Sequence, residues 1–294
     1  MSAVVARRTG GREPAGTVMS RGGRIGRVLI NLCAAGGLLY LFLPIFVIVA
    51  FSFNAPVGRF NAVWNHFTLQ NWLHPFADRA LVDALLLSLR VALISTVLAT
   101  VIGTFMAIAL VRYRFRGGEP VNFLLVLPLT APEIVLGASL LTLFLSPTLW
   151  LFNISFALGF TTIVIAHVMF LVSYVALTVR ARLRGFDWTL EDAAMDLGAT
   201  RWQAFRKISL PIIAPGIVAA FLFVFIPSIG EYITPTLVGG TQGTMYGQAL
   251  ANQFVGGAFN WQYGSVMALF LLGVVLLLTF ATSRFLRSGA GGNL

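Results

Sequence analysis

The side chains best suited to chemistry in water lie between Trp188 and Pro215, in the segment WTLEDAAMDLGATRWQAFRKISLPIIAP. Acidic residues come first, small residues follow, and aromatic and basic residues come after a glycine. In a chain that is otherwise mostly apolar, this is the largest patch suited to holding another molecule in water. The partner of this patch depends on which side of a membrane it faces.

Patterns for catalysis are missing from the sequence. The apolar runs contain no Ser/His pairing, no H-E-x-x-H and no aspartates paired at catalytic spacing, and nothing in the chain resembles the P-loop G-x-x-x-x-G-K-[ST]. His66 and His74 lie eight residues apart with no further ligand pattern nearby, which argues against a metal site. We therefore predict that the chain is not an enzyme and binds no cofactor itself.

Composition predicts an integral membrane protein. The chain has 294 residues, of which 58% are hydrophobic and 10% charged, whereas soluble domains carry about 25% charged residues. Apolar runs of about 20 residues can cross a bilayer as helices, and these runs lack the alternation of a transmembrane barrel. We predict an all-α fold with six transmembrane helices: Val28–Phe53, Ala84–Val111, Val121–Ser146, Ile154–Val179, Pro211–Thr236 and Gly264–Phe285.

The net charge of +10 is unevenly distributed along the chain. Seventeen of the 20 Lys and Arg residues fall on one side of the predicted membrane, only Arg59 and Arg79 fall on the other, and Arg90 lies inside a span. The positive-inside rule places the basic side, with both termini, in the cytoplasm of a multi-pass plasma-membrane protein. Because the charge serves as a topology signal, no nucleic-acid partner is predicted.

The domain prediction follows from the same patterns. Residues 1–27 are rich in Gly and Arg without apolar periodicity, which predicts a disordered cytoplasmic tail. Residues 28–288 form one transmembrane domain, and residues 187–211 form its cytoplasmic loop.

Helix-capping patterns predict a short helix in the first part of this loop. Asp187 or Thr189 can cap its beginning, and Glu191 and Asp192 then occupy the first turn, where the helix dipole favours acidic groups. Gly198 can end the helix because glycine adopts the left-handed conformation readily.

A second short helix is predicted to follow at an angle. Thr200 and Gln203 have the spacing of a capping box, and Trp202, Phe205 and Arg206 follow within that helix. Two interpretations of the loop are open on physical grounds: a hairpin lying against anionic lipid headgroups, or a surface for docking a protein.

The spacing of the loop resembles the EAA loop of ABC-importer permeases, E-A-A-x3-G-x9-I-x-L-P. The matching residues are Asp192-Ala193-Ala194, then Gly198, then Ile208-Ser209-Leu210-Pro211. Asp192 replaces the family's Glu, which keeps the charge on a shorter side chain. In that family the loop is the coupling helix, which sits in a groove of a cytoplasmic ATPase.

This resemblance implies a type I ABC importer (MetI-like) permease fold. It also implies three kinds of protein partner in the lipid bilayer and on its two sides: a cytoplasmic ABC ATPase dimer that binds ATP and Mg, a second homologous or identical permease subunit, and an extracytoplasmic solute-binding protein. The residues it implicates in ATPase coupling are Glu191, Asp192, Ala193, Ala194, Gly198, Ala199, Arg201, Trp202, Phe205, Ile208, Leu210 and Pro211.

Several phrases resemble the spermidine/putrescine branch of these permeases. They are Ser52-Phe53-Asn54, Leu127-Pro128 with Ala131–Val135, and Phe225–Tyr232. The resemblance implies that polyamines are the solute. Related branches that carry iron, sulfate, thiamine or other small solutes share parts of these phrases, so another small solute is the alternative.

Two acidic residues fall within or at the edge of spans, where an ionisable group usually faces a cavity or the interior of the bundle. Glu231, beside Tyr232 and four residues after Pro227, is the better candidate for a substrate path, because a carboxylate beside an aromatic ring suits an organic polycation. The alternative is a structural pairing of Glu231 with Arg90, or with a residue of a partner subunit. The candidates for the substrate path are Glu231, Tyr232, Pro227 and Glu133. The place of Glu133 at the start of a helical segment favours a structural role for it.

An ion-coupled secondary transporter is a different class of function. It requires buried carboxylate or histidine relays or an inverted repeat, and two scattered acids with His167 in the fourth span give it little support. We interpret His167 as a hydrogen-bonded packing residue.

Overall fold

The computed structural model describes residues 21–58, 61, 63–113, 116–146, 155–241, 243–255 and 260–290. Most of the predicted N-terminal tail, residues 1–27, lies outside them. Within the described part of the chain the secondary structure is helical, apart from one isolated antiparallel bridge between Asn54 and Phe67. From Phe51 onward these residues form one compact unit.

The described residues form twelve α-helices and one π-helical turn (Phe205–Ser209). In chain order the helices are α1 (Arg21–Ser52), α2 (Gln70–Leu73), α3 (Arg79–Arg112), α4 (Gly118–Thr130), α5 (Glu133–Phe144), α6 (Phe160–Leu183), α7 (Thr189–Asp196), α8 (Arg201–Ala204), α9 (Leu210–Ile229), α10 (Ile233–Val238), α11 (Tyr246–Phe254) and α12 (Trp261–Ala290).

The helices long and apolar enough to cross a membrane agree with the predicted six spans. Five described segments qualify singly: α1, α3, α6, α12 and the continuous segment Arg201–Ile229. The bent pair α4 and α5 passes the same test jointly and makes the sixth if the two helices are one broken span. The predicted start of the fourth run at Ile154 lies outside the described residues, and α6 begins later than predicted, at Phe160.

The third span is sharply bent, whereas its sequence predicts one apolar run with two prolines. Helices α4 and α5 meet at 111°. Ala131 has the extended backbone that the residue before a proline prefers, and Pro132 lacks the amide hydrogen that would continue the helix. The carbonyl of Pro132 instead accepts hydrogen bonds from Val135 and Leu136, which begins α5 in a new direction.

The fifth span differs from its prediction at both ends. The sequence predicts it from Pro211 to Thr236, but α9 ends at Ile229 and α10 begins at Ile233. The amide of Gly230 bonds to the carbonyl of Pro227, which closes the last turn. At the other end the helical segment already begins at Arg201. The second short helix that the sequence predicts is therefore not a separate element, but the first part of the fifth span. The π turn joins α8 to α9 without a break, so that both belong to one rod.

Close packing of α3 against α6 and α9 forms the centre of this unit. Small buried side chains on α3 let the neighbouring backbones approach, as is usual between membrane helices. Gly103 marks the closest approach, because a Cβ atom there would lie 2.8 Å from the Cβ of Val175 and 2.9 Å from the carbonyl oxygen of Val172 on α6.

We expect Gly103→Ala to destabilise the protein by about 1–3 kcal/mol, because the added methyl group must push α3 and α6 apart. Gly273→Ala on α12 is the matched control, since a Cβ atom added there would meet no described atom within 4 Å. Thermal unfolding of both purified variants in detergent checks this. Equal midpoints for Gly103→Ala and Gly273→Ala would contradict the close packing.

Candidate functional site

The beginning of α7 has the polar cap that the sequence predicts. The Oδ1 atom of Asp187 accepts hydrogen bonds from the amide and hydroxyl of Thr189, at 3.0 and 2.8 Å. These bonds hold the pKa of Asp187 below its usual value, and the bond from the Thr189 hydroxyl has the larger effect. Asp187 thus satisfies a free amide at the helix start, although Trp188 occupies the capping position of the backbone.

Gly198 ends α7 as predicted. Its φ of +89° lies in the left-handed region, which favours glycine. The amides of Gly198 and Ala199 bond back to Met195 and Ala194 at 2.9 and 3.0 Å, which is the Schellman arrangement of a helix end.

The predicted capping box is also present at the start of α8. The amide of Gln203 donates to the hydroxyl of Thr200 at 3.3 Å, and the amide of Thr200 donates to the side chain of Gln203 at 2.9 Å. The turn between α7 and α8 is therefore defined by local bonds on both sides.

The outer surface of the loop is partly apolar. Leu197 is 90% exposed and Trp202 is 65% exposed, which is unusual for large apolar side chains on a polar loop. Of the other predicted coupling residues, Asp192, Ala193, Gly198, Arg201 and Pro211 are exposed, whereas Ala194, Ala199, Phe205, Ile208 and Leu210 are half-buried.

Glu191 differs from the other residues of the loop. The sequence predicts it on the cytoplasmic surface, but only 2% of it is exposed. Its carboxylate pairs with the guanidinium of Arg112 and accepts a hydrogen bond from the Ser209 hydroxyl. The prediction of an exposed Glu191 is wrong because this partner lies at the end of a distant helix, α3, and allows the carboxylate to be buried.

A second group of predicted residues lines a cavity of about 300 Å³ among the spans. Glu133, Glu231 and Pro227 lie in its wall, whereas Tyr232 is nearly half exposed outside it. The remaining lining residues are mostly apolar or aromatic: Pro128, Leu129, Ala131, Phe170, Leu171, Tyr174, Phe223, Val224 and Ser228.

Thr234 joins the two carboxyl groups of this cavity. Its hydroxyl donates to Glu133 Oε1 at 3.3 Å, and its backbone amide donates to Glu231 Oε1 at 3.1 Å. The sequence gives no signal for Thr234, which is 1% exposed, because its role depends on contacts between separate spans.

Two predictions for residues of the spans can be judged from these contacts. Among the described residues no ion pair joins Glu231 to Arg90, so the alternative structural pairing is not formed. His167 is buried on α6 with its Nδ1 atom 3.0 Å from the carbonyl oxygen of Ile163, which confirms it as a hydrogen-bonded packing residue.

Known proteins resemble this chain in sequence over most of its length. Residues 99–288 match the family described as binding-protein-dependent transport system inner membrane component. The spermidine/putrescine transport system permease protein PotC of Haemophilus influenzae is 36% identical over 68% of this chain and 75% of its own length. The putrescine transport system permease protein PotI of Escherichia coli is 34% identical over 71% of this chain and 73% of its own.

Solved structures share the fold at lower identity. A chain of a bacterial ABC transporter that imports alginate superposes with a TM-score of 0.68 at 17% identity, over 90% of this chain and 96% of its own. A chain of the MetNI methionine ABC transporter superposes with a TM-score of 0.56 at 21% identity, over 71% and 95%. The fold is therefore that of ABC importer permeases.

We expect Thr234→Val to lower the free energy of unfolding by about 1–3 kcal/mol, because Glu133 then loses a buried hydrogen-bond donor. Thr236→Val is the control: its hydroxyl bonds only to the carbonyl of Tyr232 and its side chain is exposed. Thermal unfolding in detergent compares the two. A Thr234→Val midpoint no lower than that of Thr236→Val would refute the bridging role.

Proposed function

The chain belongs to the binding-protein-dependent transport system inner membrane components, the permease subunits of ABC importers, and we propose that its solute is a polyamine. The observation that carries the proposal is the pair of carboxyl groups, Glu133 and Glu231, in the wall of a cavity between the spans. Relatives at 34–36% identity are named as spermidine or putrescine permeases, which supports the same solute class.

The chemistry of the cavity suits one end of a linear polycation. A carboxylate at membrane depth is costly unless it is paired, and an alkylammonium group supplies the opposite charge. Tyr174, Phe170 and Phe223 offer aromatic faces to the ammonium group and apolar surface to the methylene chain. A sulfate ion would instead meet two like charges, so the acidic pair disfavours that alternative.

The breaks in the spans produce this acidic pair. Glu133 is the first residue of α5, directly after the bend at Pro132. Glu231 lies in the non-helical segment between α9 and α10. Irregular backbone at membrane depth is tolerated where it lines a cavity, so both breaks fit a translocation path in this part of the chain.

We further propose that the loop docks an ATPase in the cytoplasm. Exposed Leu197 and Trp202 form an apolar surface beside the acidic and small residues Asp192-Ala193-Ala194, and the resemblance of this loop to the EAA loop supports the assignment. An ABC ATPase dimer then binds ATP and Mg, a second permease subunit completes the channel, and a solute-binding protein delivers the polyamine from outside. Both termini are cytoplasmic in this arrangement.

For the solute, we expect Glu231→Gln to reduce spermidine uptake by about tenfold or more, since the ammonium group loses a charge-assisted contact. Glu119→Gln, which neutralises an exposed carboxylate at the start of α4, is the matched control. Radiolabelled spermidine uptake into cells that express each variant at equal level measures the effect. Unchanged uptake by Glu231→Gln would show that this side chain does not bind the solute.

For the loop, we expect Leu197→Glu to reduce co-purification of the ATPase by about tenfold or more, because the interface would then bury an unpaired charge. Val57→Glu is the control, since Val57 is a similarly exposed apolar residue between the first and second predicted spans, on the side of the membrane opposite the loop. The measurement is the ratio of ATPase to permease in affinity-purified membranes. Docking at this surface is refuted by a Leu197→Glu ratio equal to that of the wild type.

A further inference from the structure

Helix α7 is too short to be stable on its own. It has eight residues, and isolated helices of fewer than about 12–15 residues are marginal in water. Its orientation against the spans must therefore come from tertiary contacts. A movement imposed on its exposed face reaches the spans through those contacts as well as through the chain on either side of it.

Helix α7 contacts the spans through the buried group of Arg112, Glu191 and Ser209. Glu191 lies in the first turn of α7, Arg112 is the last residue of α3, and Ser209 ends the π turn at the base of α9. Glu191 and Ser209 are 2% and 1% exposed, and the Arg112 side chain is 26% exposed. One carboxylate thus joins three helical elements.

The surroundings favour the charges of this group. The carbonyl end of α3 carries partial negative charge, which stabilises the guanidinium of Arg112. The guanidinium carbon also lies 5.0 Å from the ring centre of Trp188, a favourable position for a cation–π contact. Removal of one member of such a buried pair leaves the other charge without compensation, so the contact resists separation.

One continuous helical segment leads from this group to the acidic cavity. It runs from Arg201 through the π turn to Ile229, two residues before Glu231. The same segment contributes Phe223, Val224 and Pro227 to the cavity wall. A displacement of its base at Ser209 is therefore carried along a rod to the place where the carboxyl groups meet.

We propose that Arg112, Glu191 and Ser209 form a clip that transmits movement of α7 to α3 and to the segment Arg201–Ile229. The proposal rests on the proposed function, in which an ATPase docks on the exposed face of α7. Glu191 is then a positioning residue for coupling: it touches neither the ATPase nor the solute. Its loss separates ATP hydrolysis from transport without preventing docking.

The test uses the complete transporter in liposomes: this chain with its second permease subunit, its ATPase and its solute-binding protein, and spermidine as the solute. Co-purification of the ATPase, ATP hydrolysis and radiolabelled spermidine uptake are measured on the same preparations. Glu191→Gln keeps the size of the side chain and removes the charge. Asp196→Asn, which neutralises an exposed carboxylate on the same helix, is the matched control.

We expect Glu191→Gln to bind the ATPase as the wild type does, while spermidine uptake per ATP hydrolysed falls about tenfold. Ser209→Ala removes one hydrogen bond but leaves the pairing of Glu191 with Arg112, and should reduce the same ratio by about two- to threefold. Asp196→Asn should leave the ratio unchanged. If Glu191→Gln does not accumulate in membranes, the ratio measured for Ser209→Ala decides the question.

Two results would overturn the clip. The first is a wild-type ratio of uptake to hydrolysis in Glu191→Gln, or in Ser209→Ala where that variant decides. The second is loss of the ATPase from Glu191→Gln while the two permease subunits still pair, which would make Glu191 a docking residue. Failure of the wild-type chain to bind any ATPase would instead refute the proposed function itself.

Discussion

An acidic side chain surrounded by apolar groups must find a partner, and this constraint shapes the interior of the protein. Glu191 meets it with a guanidinium and a hydroxyl, so its charge is fully compensated within the chain. Glu133 and Glu231 meet it only in part, with the donors of one threonine shared between two carboxyl groups. The carboxylate of Glu191 therefore needs no further partner, whereas the pair Glu133 and Glu231 can still accept a cation.

The two arrangements lie at opposite ends of one helical segment. The base of Arg201–Ile229 supplies Ser209, which bonds to Glu191, and its far end precedes Glu231 in the wall of the cavity. This continuous helix, which contains Pro215 and Pro227, connects the loop directly to the cavity. The π turn lies near its base and a break follows Ile229.

Local rules explain which features the sequence predicts well. The Gly198 helix end, the Thr200–Gln203 capping box and the apolar spans each depend on neighbouring residues, and the structure confirms them apart from the bend in the third span and the ends of the fifth. The pairing of Arg112 with Glu191 and the bridge at Thr234 depend on contacts between distant helices, which no spacing rule records. The sequence also does not predict that α8 continues into α9. It places the start of the fifth span at Pro211, whereas the π turn Phe205–Ser209 joins the two helices before that residue.

The loop is specified by neighbouring residues and the acidic cavity by distant ones, so the two regions can change independently in sequence. The turn and helix ends of the loop are specified within about 15 residues of sequence, so its surface can be kept while the spans vary. The acidic cavity requires Glu133 and Thr234, 101 positions apart, to meet across a bend and a break. A substitution at any of several spans can reposition one carboxyl group and alter which cation fits. The lining of the cavity can therefore change without disturbing the surface of the loop, because the group around Glu191 and the cavity share a helical segment but no side chain.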